Sequence, residues 1–327
     1  MAEINNNNYV GKLVAGLSSQ IQLGSNDMGM FHVDTTDGNQ TRFGYATTTA
    51  VLQDLSGKGG LCNLVDSGEG VTDEVSLVLN PVGVRLSECR GEFYETDYGM
   101  ASRGFLRQDL SPVLVQAFTE SMIEDFSDDL QSLRWSGDTA STNPTLAYHD
   151  GIIKLIKTAG AWSPLNTTGY QKIPTIPPVN AGNVVEKIKE VINALPSKVT
   201  RSSGFKVIVG GNVSAALRSA AMQPLGVNNL TLTNADLATG RLTDNFFSYA
   251  IYEVDGLNTA DANNEDIILA GSFVDGNKGV LKLGVNNVSD ADNILIRELE
   301  SDKVQFSLGA GQMVGVIPNL NQVAMNA

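Results

Sequence analysis

The chain of 327 residues holds only two cysteines, Cys62 and Cys89, and two histidines, His32 and His149. Two thiols make no disulfide framework, and such sparing use suits a reducing compartment. A histidine metal site wants ligands at short helical or hairpin spacing, with carboxylates or thiols behind them. Neither histidine has a second His or Cys near it in sequence, so both read as structural. Charge is scarce too, at 18% of residues, where soluble proteins carry about 25%. Positive charge is the scarcer sign: 22 Lys and Arg stand against 36 Asp and Glu, a net −14. That balance disfavours sequence-independent binding to nucleic acid, which needs a basic face. It does allow nucleic acid to be enclosed without being gripped. No run reaches the ~18 apolar residues of a membrane span. The opening Met1-Ala2-Glu3-Ile4, followed by Asn5 to Asn8, has neither the basic nor the apolar part of a secretory signal.

Catalytic motifs are missing as well. There is no Gly-x-Ser-x-Gly elbow, no Walker loop and no Gly-x-Gly-x-x-Gly. The nearest imitation is the apolar run Val207 to Val209 entering Gly210-Gly211 and a helix. Such a turn can present backbone N–H groups to a phosphate. Without the third glycine and the lysine it reads as a tight strand-to-helix turn, with Asn212 capping the helix. Glu120, Glu124, Asp125, Asp128 and Asp129 fall at helical spacing and read as one solvated acidic face rather than paired catalytic carboxylates. Cys62 has no basic neighbour to lower its pKa. No catalytic, cofactor-binding or metal-ligating residue is assigned, no cofactor is expected, and the chain does not read as an enzyme.

What is present is an ordered series of elements. Residues 1–45 are rich in Asn, Gly and Thr and read as an extended arm. Residues 46–106 read as β structure with glycine-rich tips, including strand-like runs at 75–79 and 82–86. Two strands with such long polar tips bury little by themselves and need something to lie against. Residues 109–135 then carry the strongest helical signal: Leu114, Phe118, Met122, Phe126, Leu130 and Leu133 recur at helical period, joined by Val115 and Ile123. Ser111 suits the N-cap, Pro112 the first helical position and Gly137 the C-terminal cap. At 1.5 Å per residue this helix spans roughly 35 Å. After a proline-rich loop at 160–180 comes an amphipathic helix from Asn183 to Leu195, stopped by Pro196. A buried-type strand at 205–209, a helix at 213–222 and strands at 247–254 and 267–270 follow. The segments 293–299 and 303–308 flank the turn Glu300-Ser301-Asp302 as a hairpin, and a last strand runs from 313 to 317. The mixture is α+β, without sustained β-α alternation.

That order resembles the major capsid proteins of tailed bacteriophages, the HK97-type shell fold. Four stretches carry the resemblance. The long helix with its exit Ser136-Gly137-Asp138, followed by Asp150-Gly151-Ile152-Ile153, is similar to that family's spine helix and its glycine turns. Asn183 to Pro196 with Lys206 to Val209 is similar to the helix and strand of its axial domain. Glu253 to Leu257 with Asp266 to Ala270, and finally Asn293 to Leu308, are similar to its later strands. The resemblance implies an arm over 1–45, an extended β loop over 46–106, a peripheral domain over 107–150 and 291–327, and an axial domain over 151–290. It implies a structural protein that self-assembles from hexamers and pentamers into an icosahedral shell around double-stranded DNA. Assembly would take place in the host cytoplasm, and the product would be a virion. Scaffold, portal and decoration proteins are implied partners; packaged DNA would be contacted weakly, and no membrane is involved. Family members that crosslink themselves join a β-loop lysine to an asparagine near the chain end, positions that Lys58 and Asn319 or Asn321 would occupy here. Two other readings stand beside this one. An encapsulin-like nanocompartment shell has the same fold around enzyme cargo, and an α/β enzyme would bind nucleotide at Gly210-Gly211.

Overall fold

In the computed structural model, which describes residues 27–36, 40–48, 70–78, 80–89, 112–158, 171–173, 178–222, 241–243, 249–259, 264–273, 279–286, 294–299, 303–316 and 323–326, the chain enters through a single 3-10 turn, Met28–Met30. Strand β1, His32–Thr36, follows it. This part of the expected arm is core rather than arm: Met30 and Phe31 are 2% and 4% exposed. Strands β2, Gln40–Thr48, and β3, Gly70–Val78, pair antiparallel as a two-stranded ribbon. Strand β4, Asn80–Cys89, takes another partner altogether. The helix expected at 109–135 is α1, Pro112–Ser136, with Pro112 at its first described position. Ser111, Lys58, Cys62, the tip at 56–60, Asn319 and Asn321 lie outside the described residues.

Helix α2, Ile152–Thr158, strand β5, Gln171–Ile173, helix α3, Val184–Asn193, and the short α4, Ser197–Thr200, come next. Then follow β6, Phe205–Val209, α5, Gly211–Met222, β7, Arg241–Thr243, and β8, Ala250–Glu253. A 3-10 turn, Asp255–Leu257, leads to β9, Ile268–Ser272, and β10, Leu281–Asn286. The hairpin is β11, Ile294–Leu299, with β12, Lys303–Val316, and its register Leu299↔Lys303 sets the turn where the sequence places it. The strand expected at 313–317 is the far end of β12 rather than a separate element. The chain closes with β13, Val323–Asn326.

Among the described residues these strands make a five-stranded sheet, ordered β1-β10-β12-β11 with β4 also on β12, and a six-stranded sheet, ordered β5-β13-β9-β6-β8-β7. The six-stranded sheet is covered on both faces, and its sequence shows it. Along β6, Val207 and Val209 face a layer built from α3 and α5, while Ile208 faces the other way. Along β9, Ile268 and Ala270 join the first layer and Leu269 the second. The two-residue period splits each run between two cores, so both parities must be apolar. The second core also takes in Trp135 from α1, Ile152 and Ile156 from α2, and Leu281, Leu283 and Val314 from the five-stranded sheet. One continuous core therefore joins the two sheets at the C-terminal end of α1.

Candidate assembly site at the end of the long helix

The end of α1 is where the glycine turns noted in the sequence do their work. Gly137 N–H donates to the Leu133 carbonyl at 3.0 Å, and Gly151 N–H donates to the Gly137 carbonyl at 2.8 Å. A Cβ on Gly137 would lie 2.4 Å from the carbonyl oxygens of both Leu133 and His149, and one on Gly151 would lie 2.5 Å from the Gly137 nitrogen. The two backbones cross with no room for a side chain on either. Gly256 completes the set, since a Cβ there would lie 2.5 Å from the Gln131 carbonyl oxygen and 2.8 Å from Trp135 Cδ1. Ser136 Oγ donates to the Gly256 carbonyl at 2.7 Å and accepts from Asn264 Nδ2 at 3.1 Å. These contacts fasten the helix end to the 3-10 turn at 255–257.

A charged cluster closes the outer side of this crossing. Lys154 Nζ lies 2.6 Å from Asp138 Oδ1 and 2.7 Å from Asp150 Oδ1. Thr139 donates to the same Asp150 oxygen through its N–H at 2.9 Å and its hydroxyl at 2.8 Å. The Lys154 hydrogen bond, with one from the Ala140 N–H, holds the Asp138 carboxyl below its ordinary range. Burial pushes Asp150 up, but Lys154 and Thr139 outweigh it and the net direction is down. His149, 2% exposed, sits beneath. Burial, the largest influence, takes its imidazole below 6.5, so the neutral ring donates from Nδ1 to the Asp150 carbonyl at 3.3 Å.

On the inner side is a buried ion pair that sequence reading did not find. Arg134 Nη1 donates to both Asp27 oxygens, at 2.8 and 2.9 Å, and Trp135 Nε1 donates to Asp27 Oδ2 at 2.6 Å. Asp27 is 0% and Arg134 1% exposed. The guanidinium also stands 5.6 Å from the Phe31 ring centroid. One hint was available: Arg134 falls on the apolar stripe with Phe126 and Leu130, where a cation must have a buried partner. That the partner is 107 residues away has no local signal.

The β2–β3 ribbon is seated on the five-stranded sheet by a few side chains. Phe43, 7% exposed, lies 5.8 Å from the His32 ring and 5.4 Å from Lys282 Nζ. His32 and Lys282 are direct cross-strand partners. Thr41 Oγ1 donates to Asp34 Oδ2 at 2.5 Å. Leu77 fills the notch left by Gly315, whose absent Cβ would lie 2.4 Å from Leu77 Cδ2. This supplies the support that the isolated strands were expected to need. His32 packs edge-on against Phe43; burial and then the Lys282 charge push its pKa down.

The other residues singled out in the sequence fall apart in space or into packing roles. Gly210-Gly211 forms the tight strand-to-helix turn, and a Cβ on Gly210 would lie 2.3 Å from the Glu265 carbonyl oxygen. The Gly211 N–H, which a phosphate would use, donates to Asn258 Oδ1 at 2.6 Å. Asn212 is not the cap: α5 already starts at Gly211, and Ser214 N–H donates to the Gly210 carbonyl. Glu120, Glu124, Asp125, Asp128 and Asp129 are all exposed on α1. No group of three or more His, Cys, Asp and Glu among the described residues could hold a metal ion. No helix among them is long and apolar enough to cross a membrane.

No protein-family model matches the sequence, and no curated protein does. Solved structures match in shape. The satellite phage P4 procapsid, which includes the size determination protein, superposes with a TM-score of 0.56 at 11% identity, covering 95% of this chain and 89% of that one. The cyanophage A-1(L) capsid superposes at 0.54 and 12% identity, covering 91% of each chain. The capsid of a native GTA particle superposes at 0.52 and 11% identity, covering 95% and 89%. This chain has the phage capsid fold. Identities of 11–12% carry no residue roles across, but the coverage makes the shared fold a property of almost the whole chain. The HK97-type resemblance read from the order of motifs is borne out at that level, and with it the α+β class. The glycine crossing after α1 gives the physical reason for those motifs. At that end the helix is tied to the core by backbone meeting backbone, together with side-chain contacts of Arg134, Trp135 and Ser136.

Proposed function

We propose that this protein is the subunit of an icosahedral capsid, which self-assembles around double-stranded DNA and remains in the virion. The observation that carries the reading is the capsid fold spanning more than nine-tenths of the chain. The chemistry of the chain is in keeping with it. Low overall charge suits a protein whose surfaces are largely covered by its own copies, since obligate interfaces bury thousands of Å². A net charge of −14 lets packaged DNA slide and leave without adhering. Residues 1–45 and 46–106 would reach over neighbouring subunits, 107–150 with 291–327 would form the peripheral part, and 151–290 would surround the five- and six-fold vertices. Hexamers and pentamers assembled in the host cytoplasm, with scaffold, portal and decoration partners, complete the proposal. No catalytic step is assigned to the subunit.

The test is negative-stain electron microscopy of the expressed full-length chain after size-exclusion chromatography, with a scaffold co-expressed in a parallel arm. Closed shells or tubes tens of nanometres across are expected. A stable monomer or small oligomer in both arms would overturn the reading. The contents of the particles, nucleic acid or a protein cargo, decide between a virion and an encapsulin-like compartment.

A further inference from the structure

Strand β4 lies at an edge of the five-stranded sheet. Residues 303–308 of β12 pair with β11 and with β4 at once, so these two flank β12 and the far side of β4 faces away from the sheet. Among the described residues β4 pairs with no other strand. Pro81, with no N–H to give to a ladder, suits such an edge. Along the ten residues Asn80–Cys89 the backbone turns its N–H and C=O groups alternately towards β12 and away from it. Solvent reaches both faces of the strand: Gly83, Arg85 and Ser87 are exposed on one, and Val84 is 38% exposed on the other. An open edge of that length is a template for a further strand.

Its side chains say which strand fits. Val82 and Leu86 share the face of Val84, and both are half-buried. A strand that meets its own copy antiparallel across a two-fold axis sets residue i opposite j and j opposite i. With the axis at Val84, Val84 meets Val84 and each Val82 meets the other copy's Leu86. All three then have apolar partners, and directly opposed side chains of this kind are what holds one strand to the next. An axis at residue 83 sets Leu86 against residue 80, and one at residue 85 sets Val82 against residue 88, both outside the row. Only the register centred on Val84 closes the row on itself.

We propose that β4 of one subunit pairs antiparallel with β4 of a second across a two-fold axis at Val84, and so joins their five-stranded sheets into one. This rests on the capsid reading above and names one of its contacts. Contacts that close a hexamer or pentamer are heterologous, whereas this one is isologous, so it links one such ring to the next. The outward N–H and C=O groups supply the attachment, and the apolar row supplies the register.

Because Val84 meets its own copy, a charge placed there meets its like. V84K and V84E in the full chain, each alone, are expected to cut the particle yield by about tenfold or more, and an equimolar mixture of the two to recover it, since unlike charges then face each other. A circular-dichroism melt like that of wild type shows that each change acts on assembly. The second measurement places a single cysteine in a chain with Cys62 and Cys89 replaced by serine, and treats assembled particles with a short thiol-to-thiol crosslinker. V84C is expected to give covalent dimers and V82C few, because two copies of position 82 would stand about 14 Å apart; V82C mixed with L86C is expected to give dimers again. Wild-type yields from V84K and V84E, a mixture no better than either alone, or V84C dimers no more abundant than V82C dimers would overturn the contact and leave the capsid reading intact. A wild type that forms no particle overturns the capsid reading, and this contact with it.

Discussion

Replacing Asp27 by Asn should cost about 3–5 kcal/mol of folding stability. The carboxylate is fully inaccessible and takes three donated hydrogen bonds, two from one Arg134 nitrogen and one from the Trp135 indole. An amide of the same shape keeps one acceptor but turns an NH2 group towards donors, and it leaves the guanidinium buried beside a neutral group. Breaking one half of such a pair is expensive because the other charge stays in the core. Asp27→Ala should cost more, since the indole N–H then loses its acceptor, roughly another 1–3 kcal/mol. Against a typical stability of about 5–15 kcal/mol, either change is large. The control is the double replacement D27L/R134M, which removes both charges and should return to within about 2 kcal/mol of wild type. The assay is urea unfolding followed by tryptophan fluorescence. All variants are held at one subunit concentration, because assembly shifts apparent stability by mass action. A loss below about 1 kcal/mol for Asp27→Asn would refute the reasoning, as would a double variant no more stable than the singles. In either case the pair would not be a buried, mutually dependent unit.

Gly137→Ala and Gly151→Ala should each abolish folding or cost more than about 3 kcal/mol, because the new Cβ meets backbone and not a movable side chain; soluble yield and melting temperature check this. Lys282→Met should stabilise. Burial lowers the ammonium to about 8 from 10.5, so the native state sheds its proton first and stability rises with pH between those values. The gain at pH 7 should be on the order of 2–3 kcal/mol, reduced somewhat by the lost contact with the Phe43 ring, and it should vanish near pH 10.5 in urea titrations. Burial of His149 has the same sign of consequence at lower pH: its pKa is depressed, so its contribution is present above 6.5 and is lost as pH falls below 6.5 through the native value. His149→Gln should flatten that limb of the pH–stability curve, and a limb of unchanged slope would refute the assignment.

The contrast between what the sequence shows and what it hides follows from the range of each interaction. Helix α1 is plain because its period is local, and so is the 294–308 hairpin, whose turn lies between its own strands. The glycines at 137 and 151 are visible as a pattern, and the crossing explains them as mutual exclusion of side chains. What stays hidden is whatever needs a partner from far along the chain. Asp27 sits in a stretch that reads as a polar arm, and only the position of Arg134 on an apolar stripe betrays that something must meet it. Strand β4 reads as half of a local ribbon with β3, since the two are separated by one residue, yet it pairs along its length with β12, more than two hundred residues on. Local alternation cannot choose between those partners: Val82, Val84 and Leu86 would make an apolar face in either pairing. The partner is β12, in which Phe306 and Leu308 are the register partners of Leu86 and Val84. The register of β4 on β12 therefore belongs to two distant segments together, and no local pattern in either one states it.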